Sequence, residues 1–531
     1  MIKTLLSIRL RSALASTQGR KKDGTVAKPT KGKLILFAVL YLYLAVIFLG
    51  LFTLYAAALA PILVESGQDT MYFGIFTVVA FSVIFILTIF ETKSELFDCK
   101  DNELLLSMPI SPRHIVISRI LIVMIYNYLE SAVVLLPAIV VYAVCGGSAT
   151  GVIGGTLLML TLPLLSTALA SGVGYAVAEI TRRTKKNSLV TTLVSLVMMG
   201  LYFVVYFAFM GEFSGVLDGE TTVLPDNAFL CAVGSAAMLS PVPLIVFLVL
   251  SFGSAYLAWR IISANYISVV TDKRGASRVE YKRVRLEKRS ALVAMSRKEL
   301  AKFFTSSLYM LNSAMGVVFT VILAVIVLAN RGVLLTLIDE LTVMGVDGRA
   351  MLSVLLIAAM VMTSSMNMTS ASALSLEGKN LWIIKTMPIP ARTVLLAKCV
   401  PHALVTVIPD VVASVLLAIA CNAPAILWPF FILTPAVTNI LFAFVGIALN
   451  TAFPKFEFDN ETQPIKQSLA MFLAMTAGFV WGLLVVGVSV LFAMLNLAII
   501  GAVAIFTLTS VAAAIMYAVV EGPCVRKFEK L

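Results

Sequence analysis

The sequence predicts an all-α polytopic membrane protein with about 12 transmembrane helices in two parallel six-helix repeats, both termini cytoplasmic. Three observations predict it. Of 531 residues, 60% are hydrophobic and only 13% charged, with a mean hydropathy of +1.00; a soluble domain carries about 25% charged residues. Apolar runs long enough to cross a hydrocarbon core of about 30 Å, which takes about 20 residues, recur along the chain. They lack the strict alternation of a membrane barrel. Lysine and arginine fall almost entirely on one side of those runs.

Residues 1–33 read as a cytoplasmic segment. They hold nine Lys or Arg and no apolar stretch followed by a small-residue cleavage site, so they are no cleavable signal. The start, MIKTLLSIRLRSAL, reads as an amphipathic helix on the membrane surface, and residues 17–33 as a mobile connection. The first half, 34–264, carries spans near 34–64, 71–92, 114–144, 151–178, 188–210 and 243–263. Residues 265–304 form a basic linker, in which ALVAMSRKELAKFF reads as a second interfacial helix. The second half, 305–520, carries spans near 308–330, 351–374, 393–420, 424–450, 468–494 and 497–520. Residues 521–531 are a cytoplasmic tail.

The loops orient the chain. On the N-terminal side lie 38 of the 40 Lys and Arg, all but Arg331 and Arg349. The opposite loops carry Glu65, Asp69, Glu212, Asp218, Glu220, Asp226, Asp339, Glu340 and Asp347. Cytoplasmic loops concentrate positive charge, so both termini are placed inside. The net charge of +12 is then membrane topology rather than a nucleic-acid footprint, and the basic linker faces anionic lipid head groups. The six cysteines form no CxxC pair and no metal-ligand spacing, and read mostly as small apolar fillers.

One loop occurs twice. KDNELLLSMPISPRHIVISR begins at Lys100 and KNLWIIKTMPIPARTVLLAK at Lys379. At that offset Met108, Pro109 and Ile110 meet Met387, Pro388 and Ile389; Leu104 and Leu105 meet Ile383 and Ile384; Asp98 meets Glu377; Arg113 meets Arg392; and Arg119 meets Lys398. One residue further along in offset, KNSL at Lys186 meets KQSL at Lys466. Such matches argue for an internal duplication, a common construction of transporters. Ser111-Pro112 suits a helix start, with Ser as cap and Pro at the first position, and Pro390 takes the same role in the second copy. Before it, NELLLSM is a short apolar helix with Asp101 and Glu103 at its positive end. It is far too short to span, and an apolar helix facing water needs a partner. Two readings stand: an interfacial helix resting on lipid, or a docking helix for a cytoplasmic protein.

The short helix between spans 2 and 3, with ELLLSMPIS running into PRHIVISR, resembles the permeases of ATP-binding-cassette exporters of the type-2 (type V exporter) kind. The resemblance covers nearly the whole chain, which looks like two six-helix permease halves fused, and TAFPKFEFDNETQPIKQS looks like an inner loop of bacterial two-half permeases. It implies coupling segments at Phe97 to Met108 and Leu376 to Met387. Their contact residues would be Phe97, Asp101, Glu103, Leu104, Leu105 and Met108, and Lys379, Trp382, Ile383, Ile384 and Met387. It also implies a separate pair of cytoplasmic ATPase subunits that hold ATP and Mg, a plasma-membrane location in a bacterium, and export of an unidentified substrate. This chain would be no enzyme and would bind no cofactor, because no GxxxxGK[ST] pattern occurs. The family often carries a re-entrant hairpin before span 6. NAFLCAVGSAAMLSPVP gives the first half room for one, whereas the second half has almost nothing between its last two spans.

Carboxylates within spans are expensive and mark cavities or partners. Glu130 in span 3 joins Asn127 and Ser131 on one stripe; Asp410 in span 9 joins His402 and Thr406 at helical spacing between Pro401 and Pro409. MTSSMNMTSAS, with Asn367, makes the inner half of span 8 polar. These residues read either as the lining of a translocation path or as local hydrogen bonding that fixes helix packing. Three other classes compete. A major-facilitator-like secondary transporter shares the 6+6 topology but lacks its short Gly/Asp/Arg loop pattern here. An enzyme acting on lipid-linked sugars would need clustered acids at the interface, and a structural or sensory protein needs none.

Overall fold

A computed structural model describes residues 4–7, 31–97, 101–182, 192, 200, 228–271, 289–458 and 461–531. Every regular element among them is helical. This is the required answer for a chain in lipid, where a helix satisfies its own backbone hydrogen bonds. Of the expected mobile connection at 17–33, residues 17–30 lie outside the described residues and the last three are helical; the span at 188–210 lies outside them but for 192 and 200, as do Asp98 and Lys100. The N-terminal surface helix is described only at residues 4–7, which are helical. The chain falls into two compact units, Met1–Val279 and Glu280–Leu531.

In the first unit α1 (Lys31–Glu65), α2 (Asp69–Leu96), α3 (Asn102–Ser107), α4 (Pro112–Val144), α5 (Ala149–Arg182), α6 (Ala228–Ala237) and α7 (Pro241–Thr271) follow in order. Its core is aromatic: Tyr72, Phe73 and Phe76 of α2 pack on Tyr142 of α4, Leu158 and Leu162 of α5, and Leu230 of α6. Tyr72 donates to Ala138 O at 2.8 Å, and Tyr142 to Asp69 Oδ2 at 2.7 Å. α6 occupies the segment expected to form a re-entrant hairpin. It lies so close to α2 that a Cβ on Gly74 would run into Leu230 O, and one on Gly234 into Thr70 O. α7 runs past the expected span end, because Ile262, Tyr266, Val269 and Val270 keep an apolar face at helical spacing.

In the second unit come α8 (Ala291–Thr305), α9 (Ser307–Ser313), α10 (Met315–Ala329), α11 (Arg331–Val343), α12 (Gly348–Ser364), α13 (Ser370–Ala373), α14 (Leu381–Thr386), α15 (Ala391–Ala420), α16 (Trp428–Ala452), α17 (Thr462–Ile465), α18 (Leu469–Met494), α19 (Ala498–Val519) and α20 (Val525–Lys530). α8 is the helix expected in the linker, started by Ser290, whose hydroxyl accepts from Val293 N. Two expected spans are not continuous helices. The one at 308–330 bends by 57° between α9 and α10. The one at 351–374 stops at Ser364 and resumes only as the single turn α13.

Among the described residues eight helices are long and apolar enough to cross a membrane, nine when α9 and α10 count as one. The span expected at 71–92 is the single helix α2 (Asp69–Leu96), and the one at 351–374 keeps a shorter apolar helix, Gly348–Ser364. Two start signals also act differently from expectation. Ser111 makes no side-chain cap; its hydroxyl bonds His114 Nδ1 at 2.7 Å. Pro390 precedes its helix, which begins at Ala391, whereas Pro112 opens α4.

Candidate functional site

Each unit builds a platform on its Lys/Arg-rich side, with a short helix resting on it. In the first unit that helix is α3. Leu105 is buried against Leu96, Phe97, Ile115 and Val116, and against Ile262 and Tyr266 of α7. Below it Arg119 is 1% exposed. Its guanidinium donates to Leu96 O at 2.6 Å and to Asp101 Oδ1 at 2.8 Å, and lies 5.6 Å from the centre of the Tyr266 ring. Tyr266 in turn donates to Asn102 Oδ1, and Asn102 Nδ2 donates to Phe97 O. The cation therefore ties the end of α2 to the start of α3, and both to α7.

In the second unit the short helix is α14. Ile384 is buried against Val394 and Leu395 of α15, with Val520, Cys524 and Phe528 from the end of the chain and Met295 of α8. The tail is thus a packed helix: Phe528 is buried, and Lys527 Nζ donates to Ala452 O at 2.8 Å. Lys398, also 1% exposed, stands where Arg119 stands. Its ammonium donates to Glu377 Oε1 at 2.6 Å, Glu299 Oε1 at 2.9 Å and Ala373 O at 3.1 Å. Lys298 and Lys302 each reach Glu377 at 3.3 Å. Burial alone would raise the Glu377 carboxyl, but Lys398, Lys302 and Lys298 outweigh it and bring it down from 4.5 to about 2. The same burial lowers the Lys302 ammonium. Gly378 turns the chain from Glu377 into α14 at φ +54, a left-handed value that favours glycine.

The expected contact residues divide by this geometry. Phe97, Leu105 and Ile384 are buried in the platforms, and Asp101 is the partner of Arg119. Leu104 (59% exposed), Met108, Trp382 (63%), Ile383 and Met387 face outward, as does Lys379. The Glu103 side chain lies outside the described residues. Sequence reasoning missed the platform charges. Arg119, Lys398 and Glu377 appeared in it only as matched letters. Glu299 carried a readable signal, since it sits with Met295 and Phe303 on the one buried stripe of α8.

The expected path residues form two polar centres, one in each unit. In the first, Asn127 accepts from Thr88 Oγ1 and donates to Thr167 Oγ1, each at 2.7 Å, and Ser131 donates to Met159 O. Glu130, between Asn127 and Ser131 in the sequence of α4, is half-buried where they are buried. In the second, the interruptions in the two broken helices meet. Met368 N and Thr369 Oγ1 donate to Ser313 O, Tyr309 OH donates to Thr369 O, and Asn367 Oδ1 accepts from Val317 N. Asp410 Oδ2 accepts from Ser364 Oγ at 2.5 Å and Asn439 Nδ2 at 2.6 Å, and Asn367 Nδ2 donates to Asn439 Oδ1. His402 Nδ1 faces Ser370, and Thr406 donates to His402 O. The MTSSMNMTSAS stretch is the interruption itself. Side chains take over backbone partners there, and glycines on α10, α16 and α18 (Gly316, Gly446 and Gly478) leave room for its chain.

Long apolar helices, basic ends and broken helices with buried polar centres define a polytopic helical membrane protein. A family model described as a membrane protein of 12 TMs matches residues 34–521, and the chain belongs to that family. No curated protein and no solved structure matches it.

Proposed function

We propose that this chain is the permease subunit of an ATP-driven exporter, two fused six-helix halves descended from one by duplication. In this reading the basic side is cytoplasmic, in the plasma membrane of a bacterium. α3 and α14 are the coupling helices on which two ATPase subunits dock. ATP and Mg belong to those subunits, as does hydrolysis. The observation that carries the reading is the shared pattern of the two short helices. α3 buries Leu105 together with Asn102, α14 buries Ile384 together with Leu381, and each turns apolar neighbours outward: Leu104 and Met108, or Trp382, Ile383 and Met387. An apolar face held on a firm base suits a groove in a partner. A push on either helix reaches α4 and α7, or α15 and the end of α19, through the residues packed beneath it. The test is co-purification of a Walker-A ATPase, co-expressed with this chain, in detergent. Wild type should retain it, and Leu104→Asp with Ile383→Asp should lose it while inserting normally. Failure of wild type to retain any candidate ATPase would sink the reading.

A second reading, an ion-coupled transporter of 6+6 topology, draws on one observation, the buried Asp410 between two broken helices. Transporters of that kind place their ion sites at such interruptions.

A further inference from the structure

Asp410 is fully buried in α15, ten residues from its end at Ala420, or about 15 Å at 1.5 Å per residue. All its hydrogen-bond donors are neutral. Ser364 of α12 and Asn439 of α16 both serve Oδ2, and Thr320 of α10 lies beside the carboxyl. Oδ1 has no partner. Among the described residues none of the Lys, Arg or His side chains forms an ion pair with it. α10, α12 and α16 bring no titratable group into its shell. On its own helix His402 sits two turns away and faces Ser370, its Nε2 without a partner. An isolated carboxylate in such surroundings is far costlier than a neutral acid, and two neutral donors on one oxygen do not offset that cost. The carboxyl must therefore hold a positive ligand. Oδ1 is the oxygen left to take it, and among the described residues there is no group of three or more His, Cys, Asp or Glu that could hold a metal ion. The ligand that fits is the smallest one.

We propose that Asp410 is a proton-binding site, held uncharged where the two broken helices meet, and that release of its proton requires the interruptions to separate. The interruptions are the parts of α9–α10 and α12–α13 held by side chains rather than by helix hydrogen bonds. Their parting would admit the water that a bare carboxylate needs. The proton then acts as a clasp between α15 and the broken helices. This holds whether the chain is driven by ATP or by an ion gradient, since it concerns one carboxyl and not the partner.

The experiment is infrared difference spectroscopy on the full chain in lipid nanodiscs, wild type minus Asp410→Asn. At neutral pH wild type should show a carboxylic C=O band that shifts in D2O and is missing from the variant. No such band would overturn the proposal. Disappearance of the band on adding Na+ at constant pH would overturn the proton as ligand in favour of a metal cation. Should Asp410→Asn fail to insert, Asn439→Ala reads the same point. It removes a donor to the charged form, so the band should titrate at higher pH than in wild type. An unchanged titration would assign the band to another group and overturn the proposal.

Discussion

Arg119 and Lys398 occupy matching places and are equally buried, yet they are satisfied differently. Arg119 spreads its charge over one backbone carbonyl, one aromatic ring and Asp101, whose side chain is 39% exposed. Lys398 sits between two buried carboxylates, Glu299 and Glu377, with Lys298 and Lys302 behind them. Arg suits the first place, because its planar fork can serve a carbonyl and a carboxylate at once. The ammonium suits the second, where a compact charge meets several oxygens. The same mechanical task, fastening a short helix to the helices beneath it, has a hydrated solution in one half and a dry one in the other.

The dry solution should be the more fragile. Lys398→Met leaves two carboxylates buried without their central cation and should cost about 3–5 kcal/mol, read as a large drop in thermal midpoint of the purified protein. Arg119→Met leaves one carbonyl and a carboxylate that water can reach, and should cost about 1–3 kcal/mol. Equal losses would break the comparison.

Acid sharpens the same contrast. A carboxyl whose folded value lies below its unfolded value stabilises the fold above the unfolded value, and that contribution fades as pH falls through the folded one. For Glu377 it is complete above about 4.5 and is lost as pH drops toward about 2. Thermal midpoints followed down that window should fall more steeply in wild type than in Glu377→Gln; parallel curves would remove Glu377 from the account.

The smallest effects on stability belong to the outward faces. Leu104→Asp and Ile383→Asp should each stay within about 0.5 kcal/mol of wild type, as surface changes do. Leu105→Asp and Ile384→Asp bury a charge in a platform and should destabilise clearly. If the two pairs behave alike in unfolding scans, the division into platform and docking face is wrong.

Much of this was legible in the sequence. Pro112 and Pro390 mark where spans 3 and 9 begin, and the duplicated MPI triplets mark the short helices before them. What was not legible depends on contact. Leu104 and Leu105 are adjacent letters of equal hydropathy, and only the neighbouring helices decide which one is buried. A Ser- and Thr-rich stretch reads as a continuous polar helix as readily as an interrupted one, because those side chains can bond a helix backbone or replace it. The break between Ser364 and Ser370 depends on Ser313 and Asn439 placed beside it. Glu130 and Asp410 looked like counterparts by helix. The offset that aligns the loops instead pairs Asp410 with Ser131, and burial separates the two acids.

The most direct test of the docking claim places a photo-crosslinking residue at position 104 in one variant and at position 383 in another, in cells that express the candidate ATPase. The account predicts an adduct with the same nucleotide-binding subunit from both positions, and none from position 105 or 384, which face inward. Absence of that adduct from both outward positions, in protein that inserts normally, would contradict it.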